Sequence, residues 1–293
     1  MKILLFGRNG QLGWEAQHTL KPLGDIIACV RAELDIANLE ALRRMIREIK
    51  PQVIVNAAAY TAVDKAESEP ELARTINARA PGVMAEEART LDIPLIHIST
   101  DYVFDGEKGS PYIEEDKTNP LNVYGQSKLE GEQAIGQVGG AHVILRTSWV
   151  YSMRGDNFVT KILAWSREQE TLRVVSDQVG SPTWARMLAE AISGMVDRSL
   201  PNLREYFGER SGIYHLGGKG SVSRFDFAKA ILRLDPRSKE QVTRRLEPAL
   251  TADFPTPARR PLITSLDCSR FEQVFGTRLP GWEENLRLAL AKE

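Results

Sequence analysis

Five short apolar runs recur through the first half of the chain, at residues 2–6, 26–30, 53–56, 95–98 and 142–145. They are nearly continuous rather than alternating, as strands buried on both faces of a parallel sheet should be. Between them, apolar positions return at three-and-four spacing over residues 11–21, 39–49, 70–91 and 123–135, which predicts helices. Strand and helix in regular alternation predict an α/β fold, a doubly wound parallel sheet with helices on both faces.

After Arg146 the rhythm changes. Helical patterns over 157–168, 185–196, 225–234 and 282–291 are separated by proline- and glycine-rich connections such as Gly180-Ser181-Pro182 and Phe254-Pro255-Thr256-Pro257. We expect one domain over residues 1–150 and a smaller α/β lobe over 151–293 folding across the carboxyl edge of the sheet. A strand at 172–176 is expected to return to the main sheet, so the boundary is not a clean cut.

Composition adds exclusions. With 26% charged and 42% hydrophobic residues among 293, the chain is ordinary globular material. Thirty-eight basic residues against 39 acidic leave a formal charge of −1, which argues against nucleic acid or a membrane surface as partner. The opening apolar run is cut by Gly7-Arg8-Asn9-Gly10 before a leader or a span could be completed. Two cysteines, Cys29 and Cys268, fit a reducing cytoplasm rather than a disulfide framework.

The first strand runs directly into Gly7-Arg8-Asn9-Gly10-Gln11-Leu12-Gly13. Such glycines let a backbone turn sharply and approach a pyrophosphate, while the following helix offers free N–H groups to the phosphates. These residues are expected to bind a dinucleotide; the alternative is a tight turn without a ligand. The second strand ends Ala28-Cys29-Val30-Arg31 with no acid at its tip, where an NAD site would place one for the ribose hydroxyls. Arg31 could pair with a 2′-phosphate, which favours NADPH, while Glu33 and Asp35 keep NADH open. Asp35-Ile36 is expected beside the adenine.

The third strand leads into Asn56-Ala57-Ala58-Ala59-Tyr60-Thr61, small residues that let a cofactor lie close or simply pack a helix on the sheet. The fourth ends in Ser99-Thr100-Asp101-Tyr102, at the edge where ligands bind in this fold. Tyr124 and Lys128 then stand four apart on a predicted helix and so share a face. A ketone accepting hydride needs a proton, and a tyrosine protonated at neutral pH can donate it. A nearby ammonium would favour the phenolate left behind, and Thr100 could polarise the carbonyl. An isolated tyrosine–lysine pair means little; its order behind the glycine turn and the two strand ends carries the reading.

The stretches GRNGQLGWE, NAAAYTAVDKAESEPE, STDYVFDG, PLNVYGQSK, ILRTSWVY, DQVGSPT and PTPARRP span Gly7 to Pro261. In them the chain resembles the extended short-chain dehydrogenase/reductases, most closely the dTDP-4-dehydrorhamnose reductase family. The resemblance implies a Rossmann domain binding NADPH or NADH and a lobe binding a nucleotide-sugar whose 4-keto group is reduced. Tyr124 is then proton donor, Lys128 its helper and nicotinamide-ribose ligand, and Thr100 the tuning hydroxyl. Thr100, Asp101 and Trp149 match substrate positions, although Trp149 could equally be core.

Some members of the family are described as magnesium-dependent dimers, so Mg2+ and a homodimer as well as a monomer stay open. Glu15 fits such a bridging site, but the helix beginning Trp184-Ala185-Arg186 shows no convincing second acidic ligand, and no His, Cys or clustered acids stand at catalytic-metal spacing. Two rival readings remain. One is another sugar-nucleotide epimerase or dehydratase; the other is a non-catalytic NADP-binding regulatory subunit, which would gain nothing from the Thr100–Tyr124–Lys128 set.

Overall fold

The computed structural model describes residues 1–291. Six strands form the central sheet: β1 (Lys2–Phe6), β2 (Asp25–Cys29), β3 (Val53–Asn56), β4 (Leu95–Thr100), β5 (His142–Thr147) and the later Gly212–His215. Their spatial order is β2-β1-β3-β4-β5 and then Gly212–His215, with every pair parallel.

One expected strand lies elsewhere. Thr171–Val175 does not return to the main sheet; it pairs in parallel with Arg245–Ala249 in a separate two-stranded sheet. Its pattern explains why: Leu172 and Val174 are buried while Arg173 points to solvent. That alternation suits a sheet with one wet face, whereas a central strand needs both faces apolar. The strand that does return is Gly212–His215, setting Ile213 beside Ile144 of β5.

The continuous apolar runs feed two cores at once. Ile3, Leu5, Val53 and Val55 pack with Leu12 and Ala16 of α1 (Gln11–Leu20) and with Leu188 and Ile192 of the helix Ala185–Arg198. On the opposite face Leu4, Phe6 and Ile54 pack with Leu42 and Ile46 of α2 (Leu39–Ile49) and Met84 of the helix Ala80–Leu91. Burying one such side chain is worth roughly 1.5–3 kcal/mol. The first face therefore depends on residues beyond 150 for much of its cover. A third core, holding Tyr151, Ile162, Trp184, Phe227 and Leu286, belongs to the lobe.

The helix expected over 70–91 forms with a π turn inside it, at Thr75–Arg79 between Pro70–Arg74 and Ala80–Leu91. The turn delivers the buried Asn77, whose amide accepts from the Tyr60 N–H (2.8 Å) and donates to the Tyr60 carbonyl (3.1 Å) and the Ser127 hydroxyl (2.9 Å). Single π turns of this kind often serve sites. This one ties the loop after β3 to the helix Val123–Val138. Among the described residues no helix is long and apolar enough to cross a membrane.

Candidate active site

The strand order reverses between β1 and β3, where doubly wound sheets bind ligands outside their carboxyl ends. A cavity of about 1030 Å³ opens there. Every residue expected to meet the cofactor lines it except Gly13, and Thr100, Asp101 and Trp149 line it too.

Gly7 has φ +85°, and a Cβ there would lie 2.6 Å from the Ala57 carbonyl carbon and the Ala58 nitrogen. Glycine is required both for the angle and for the approach of the two strand ends. The Gly10 N–H closes the turn on the Gly7 carbonyl at 2.9 Å. Gly13 sits behind it, where a Cβ would overlap the Gly7 oxygen at 2.1 Å, so it seats α1 on the strand and does not touch the cleft. No side chain caps α1 and its first turn holds no acid, which leaves its N–H groups and the positive helix end for an anion.

At the end of β2, Glu33 turns back to accept the Val30 N–H at 3.1 Å and does not line the cavity. Arg31 and Asp35 do, paired at 3.5 Å, with the Arg31 side chain 75% exposed. The guanidinium is thus available at this end of the cavity but shares its charge with a carboxylate.

The helix Val123–Val138 is capped by Asn122, whose side chain accepts the Gly125 N–H at 2.8 Å. A Cβ on Gly125 would lie 2.2 Å from the Tyr102 carbonyl oxygen, so this helix start presses onto the turn after β4. The contact brings Tyr124 beside Thr100 and sets its ring edge-on to Tyr102, 5.7 Å between centroids. Burial raises the Tyr124 phenol above its ordinary value, and the hydrogen bond with Thr100 opposes this. At neutral pH the phenol keeps its proton.

Lys128 is 1% exposed, and burial pulls its amine down to about 8, opposed by Glu132. Nζ donates to the Ile98 carbonyl at 2.6 Å and meets His97 Nε2 at 3.2 Å. The sequence placed Lys128 as the group lowering the tyrosine pKa. In the structure burial dominates at Tyr124, and the lysine is anchored to the β4 backbone.

Asp101 also differs from a simple substrate ligand. It is 2% exposed and its carboxylate accepts from Ser148 (2.8 Å), Thr264 (2.5 Å) and Thr100 (3.1 Å). Burial raises its pKa and those hydroxyls oppose the rise. It thereby ties Thr100 to Ser148 and Thr264. Trp149 stands in the cleft wall at φ +46°, an angle rare for so large a side chain.

Glu15 does not offer a free carboxylate to magnesium, because Arg186 already pairs with it at 3.1 Å. Among the described residues no group of three His, Cys, Asp or Glu side chains could hold a metal ion.

Several residues of this neighbourhood escaped the sequence reading. Asn56 and His97 form a buried chain to Lys128, Asn56 Nδ2 lying 3.0 Å from His97 Nδ1. Arg146 and Glu132 make a buried double contact at 2.9 and 2.7 Å, joined by Ser99 at 2.5 Å. The available signal was a polar residue in or beside an apolar strand run: His97 interrupts one, Asn56 ends one and Arg146 directly follows one. Arg224 had no such signal, since it opens a surface-like helix.

A glycine turn, a hydroxyl at the end of β4 and a buried tyrosine–lysine pair around one cleft define an NAD(P)-dependent oxidoreductase of the short-chain type. The family model of the RmlD substrate binding domain matches residues 1–293. A relative from Burkholderia thailandensis, a dTDP-4-dehydrorhamnose reductase, is 42% identical over 285 residues, 96% of this chain and 95% of the relative. A dTDP-4-dehydrorhamnose reductase structure from Clostridium acetobutylicum superposes with a TM-score of 0.91 at 37% identity, covering 100% of this chain and 99% of that one. Another, from Bacillus anthracis in complex with NADP, has a TM-score of 0.89 at 34% identity, covering 100% and 99%. The chain belongs to the dTDP-4-dehydrorhamnose reductase family.

Proposed function

We propose that this protein reduces the 4-keto group of dTDP-4-dehydro-L-rhamnose to give dTDP-L-rhamnose, with NADPH preferred over NADH and Tyr124 as the proton donor. The observation that carries the reading is the buried, protonated Tyr124 beside Thr100 in a cleft whose far end is the Gly7–Gly10 turn. The names of the relatives and the NADP in the Bacillus anthracis neighbour support it.

The cleft fits the cofactor on its own features: Gly7 has no room for a side chain, and α1 presents an uncapped N-terminus. Gly7, Asn9, Gly10, Gln11 and Leu12 would hold the pyrophosphate, Arg31, Asp35 and Ile36 the adenosine end, and the segment from Ala57 to Thr61 the middle. When bound, the nicotinamide contributes hydride. Tyr124 gives its phenolic proton to the sugar oxygen as the carbonyl becomes an alcohol, and the single hydroxyl proton of Thr100, given to Asp101 in the free protein, turns to the same oxygen when the keto-sugar is bound. Lys128 holds the nicotinamide ribose and, as the ammonium, offsets the phenolate. Trp149 and the lobe after residue 150 enclose the nucleotide-sugar. Two free cysteines, Cys29 and Cys268, suit a reducing cytoplasm.

The test is loss of NADPH fluorescence with dTDP-4-dehydro-L-rhamnose, followed by the stereochemistry of the product. No turnover, or the epimeric alcohol, overturns the reading.

A further inference from the structure

Arg224 opens the helix Arg224–Leu234 and lines the same cavity. Its guanidinium carbon lies 3.5 Å from the Trp149 ring centroid and 4.7 Å from that of Phe158. Trp149 is itself immobilised: its backbone is held at φ +46°, and its indole lies so close to Gly180 that a Cβ there would come within 2.6 Å of it. A fixed indole fixes the plane of the guanidinium stacked on it.

No carboxylate takes that cation. Among the described residues Arg224 forms no ion pair, and the acids around it are engaged. Asp101 holds three hydroxyls, and Asp64 makes a double contact with the neighbouring Arg260 at 3.0 and 2.7 Å. Burial draws Arg224 down to about 10, which still leaves it charged at neutral pH. The half-buried guanidinium thus faces the cavity with aromatic rings beside it and no counter-charge. That arrangement is explained if the counter-charge arrives with a ligand.

We propose that Arg224, placed over the Trp149 ring, is the clamp for the diphosphate of the nucleotide-sugar, an inference resting on the reductase reading above. Stacking occupies the face of the guanidinium and leaves its N–H edge free. That fork matches two phosphate oxygens better than it matches a sugar hydroxyl. The cofactor's pyrophosphate is served elsewhere: Arg154 stacks on Trp14 of α1 at 4.1 Å, beside the glycine turn. Arg224 instead lies within electrostatic reach of Asp101, at the end of the cleft that holds Tyr124.

The experiment measures binding of dTDP, thymidine and NADPH to the wild type, Arg224→Met and Arg224→Lys, with steady-state kinetics on the keto-sugar. Arg224→Met should weaken dTDP about ten- to a hundredfold, the scale of losing a charge-assisted bidentate contact, while thymidine and NADPH stay unchanged. Its KM for the nucleotide-sugar should rise with kcat nearly constant, and Arg224→Lys should recover part of the loss. Equal weakening of thymidine and dTDP would make Arg224 a prop for Trp149 and overturn the clamp. Weakening of NADPH would assign it to the cofactor, and unchanged dTDP would remove it altogether. Since Arg224→Lys keeps charge and stem, it tests the clamp even if Arg224→Met folds poorly. Wild-type protein that binds no dTDP overturns the reductase reading together with the clamp; wild-type binding with an indifferent Arg224→Met overturns the clamp alone.

Discussion

Lys128 Nζ lies 3.2 Å from His97 Nε2, and the hydrogen bonds on the far side of the ring assign the proton between them to the histidine. Asn56 Oδ1 accepts the Ala58 N–H at 3.1 Å, so its Nδ2 must face His97 Nδ1 as donor. With His97 held neutral by burial and by Lys128, that network puts its one ring proton on Nε2. The amine form of Lys128 can accept this proton and the ammonium cannot. The buried chain and the loss of solvent therefore act in the same direction on Lys128.

The first prediction follows from that bond. Lys128 loses its proton as pH rises through about 8, and the ammonium is the better ribose ligand. The dissociation constant for NADPH should rise above that pH in the wild type and stay flat in Lys128→Met. In His97→Gln an amide oxygen can accept from the ammonium, so the break should move to higher pH. Fluorescence titrations from neutral pH upward measure all three; a break unmoved in His97→Gln removes histidine from the tuning.

The same shift has a stability sign. The folded pKa lies below the unfolded one, so the unfolded chain binds more protons between about pH 8 and the ordinary lysine range. Wild-type stability should therefore rise relative to Lys128→Met across that interval, measured as the difference in urea midpoints. A constant difference would contradict the depressed lysine.

Tyr124→Phe should lower kcat by roughly two to four orders of magnitude, the span for losing a general acid, with NADPH affinity intact. Near-normal turnover in stopped assays would take Tyr124 out of the proton transfer.

Cofactor preference turns on a shared charge. Arg31→Ala should raise KM for NADPH and leave NADH almost unchanged, modestly because the side chain is 75% exposed and solvent screens it. Asp35→Asn should do the reverse by freeing Arg31, tightening NADPH most at low salt. Equal effects on both cofactors would show that Arg31 does not meet the 2′-position.

Glu132→Gln should destabilise the fold by about 3–5 kcal/mol, because it leaves the buried Arg146 without its counter-charge. Thermal denaturation of the unliganded protein checks this, and a small shift would mean that water reaches the pair.

Which residues line the cleft was in large part readable because local spacing encodes it. A glycine turn needs its residues adjacent, and Tyr124 and Lys128 share a helix face at any helix orientation. Arg224, Gly180 and Thr264 were not readable, since Arg224 reaches the cleft, and Gly180 and Thr264 reach Trp149 and Asp101 in its wall, from distant parts of the chain. Thr171–Val175 shows the same limit for the fold: its run is apolar enough for a strand, yet partner choice depended on which face met water.

By itself, then, the sequence determined the alternation of strands and helices, the dinucleotide turn and the tyrosine–lysine pair, all properties of periodicity within one element. Tertiary structure alone decided that Gly212–His215 completes the sheet, that Asp101 serves Thr100, and that Lys128 answers to His97 and Asn56. The physical reason is that burial and hydrogen-bond pairing are set by what lies across the fold. A titratable side chain takes its character from neighbours that no local pattern names.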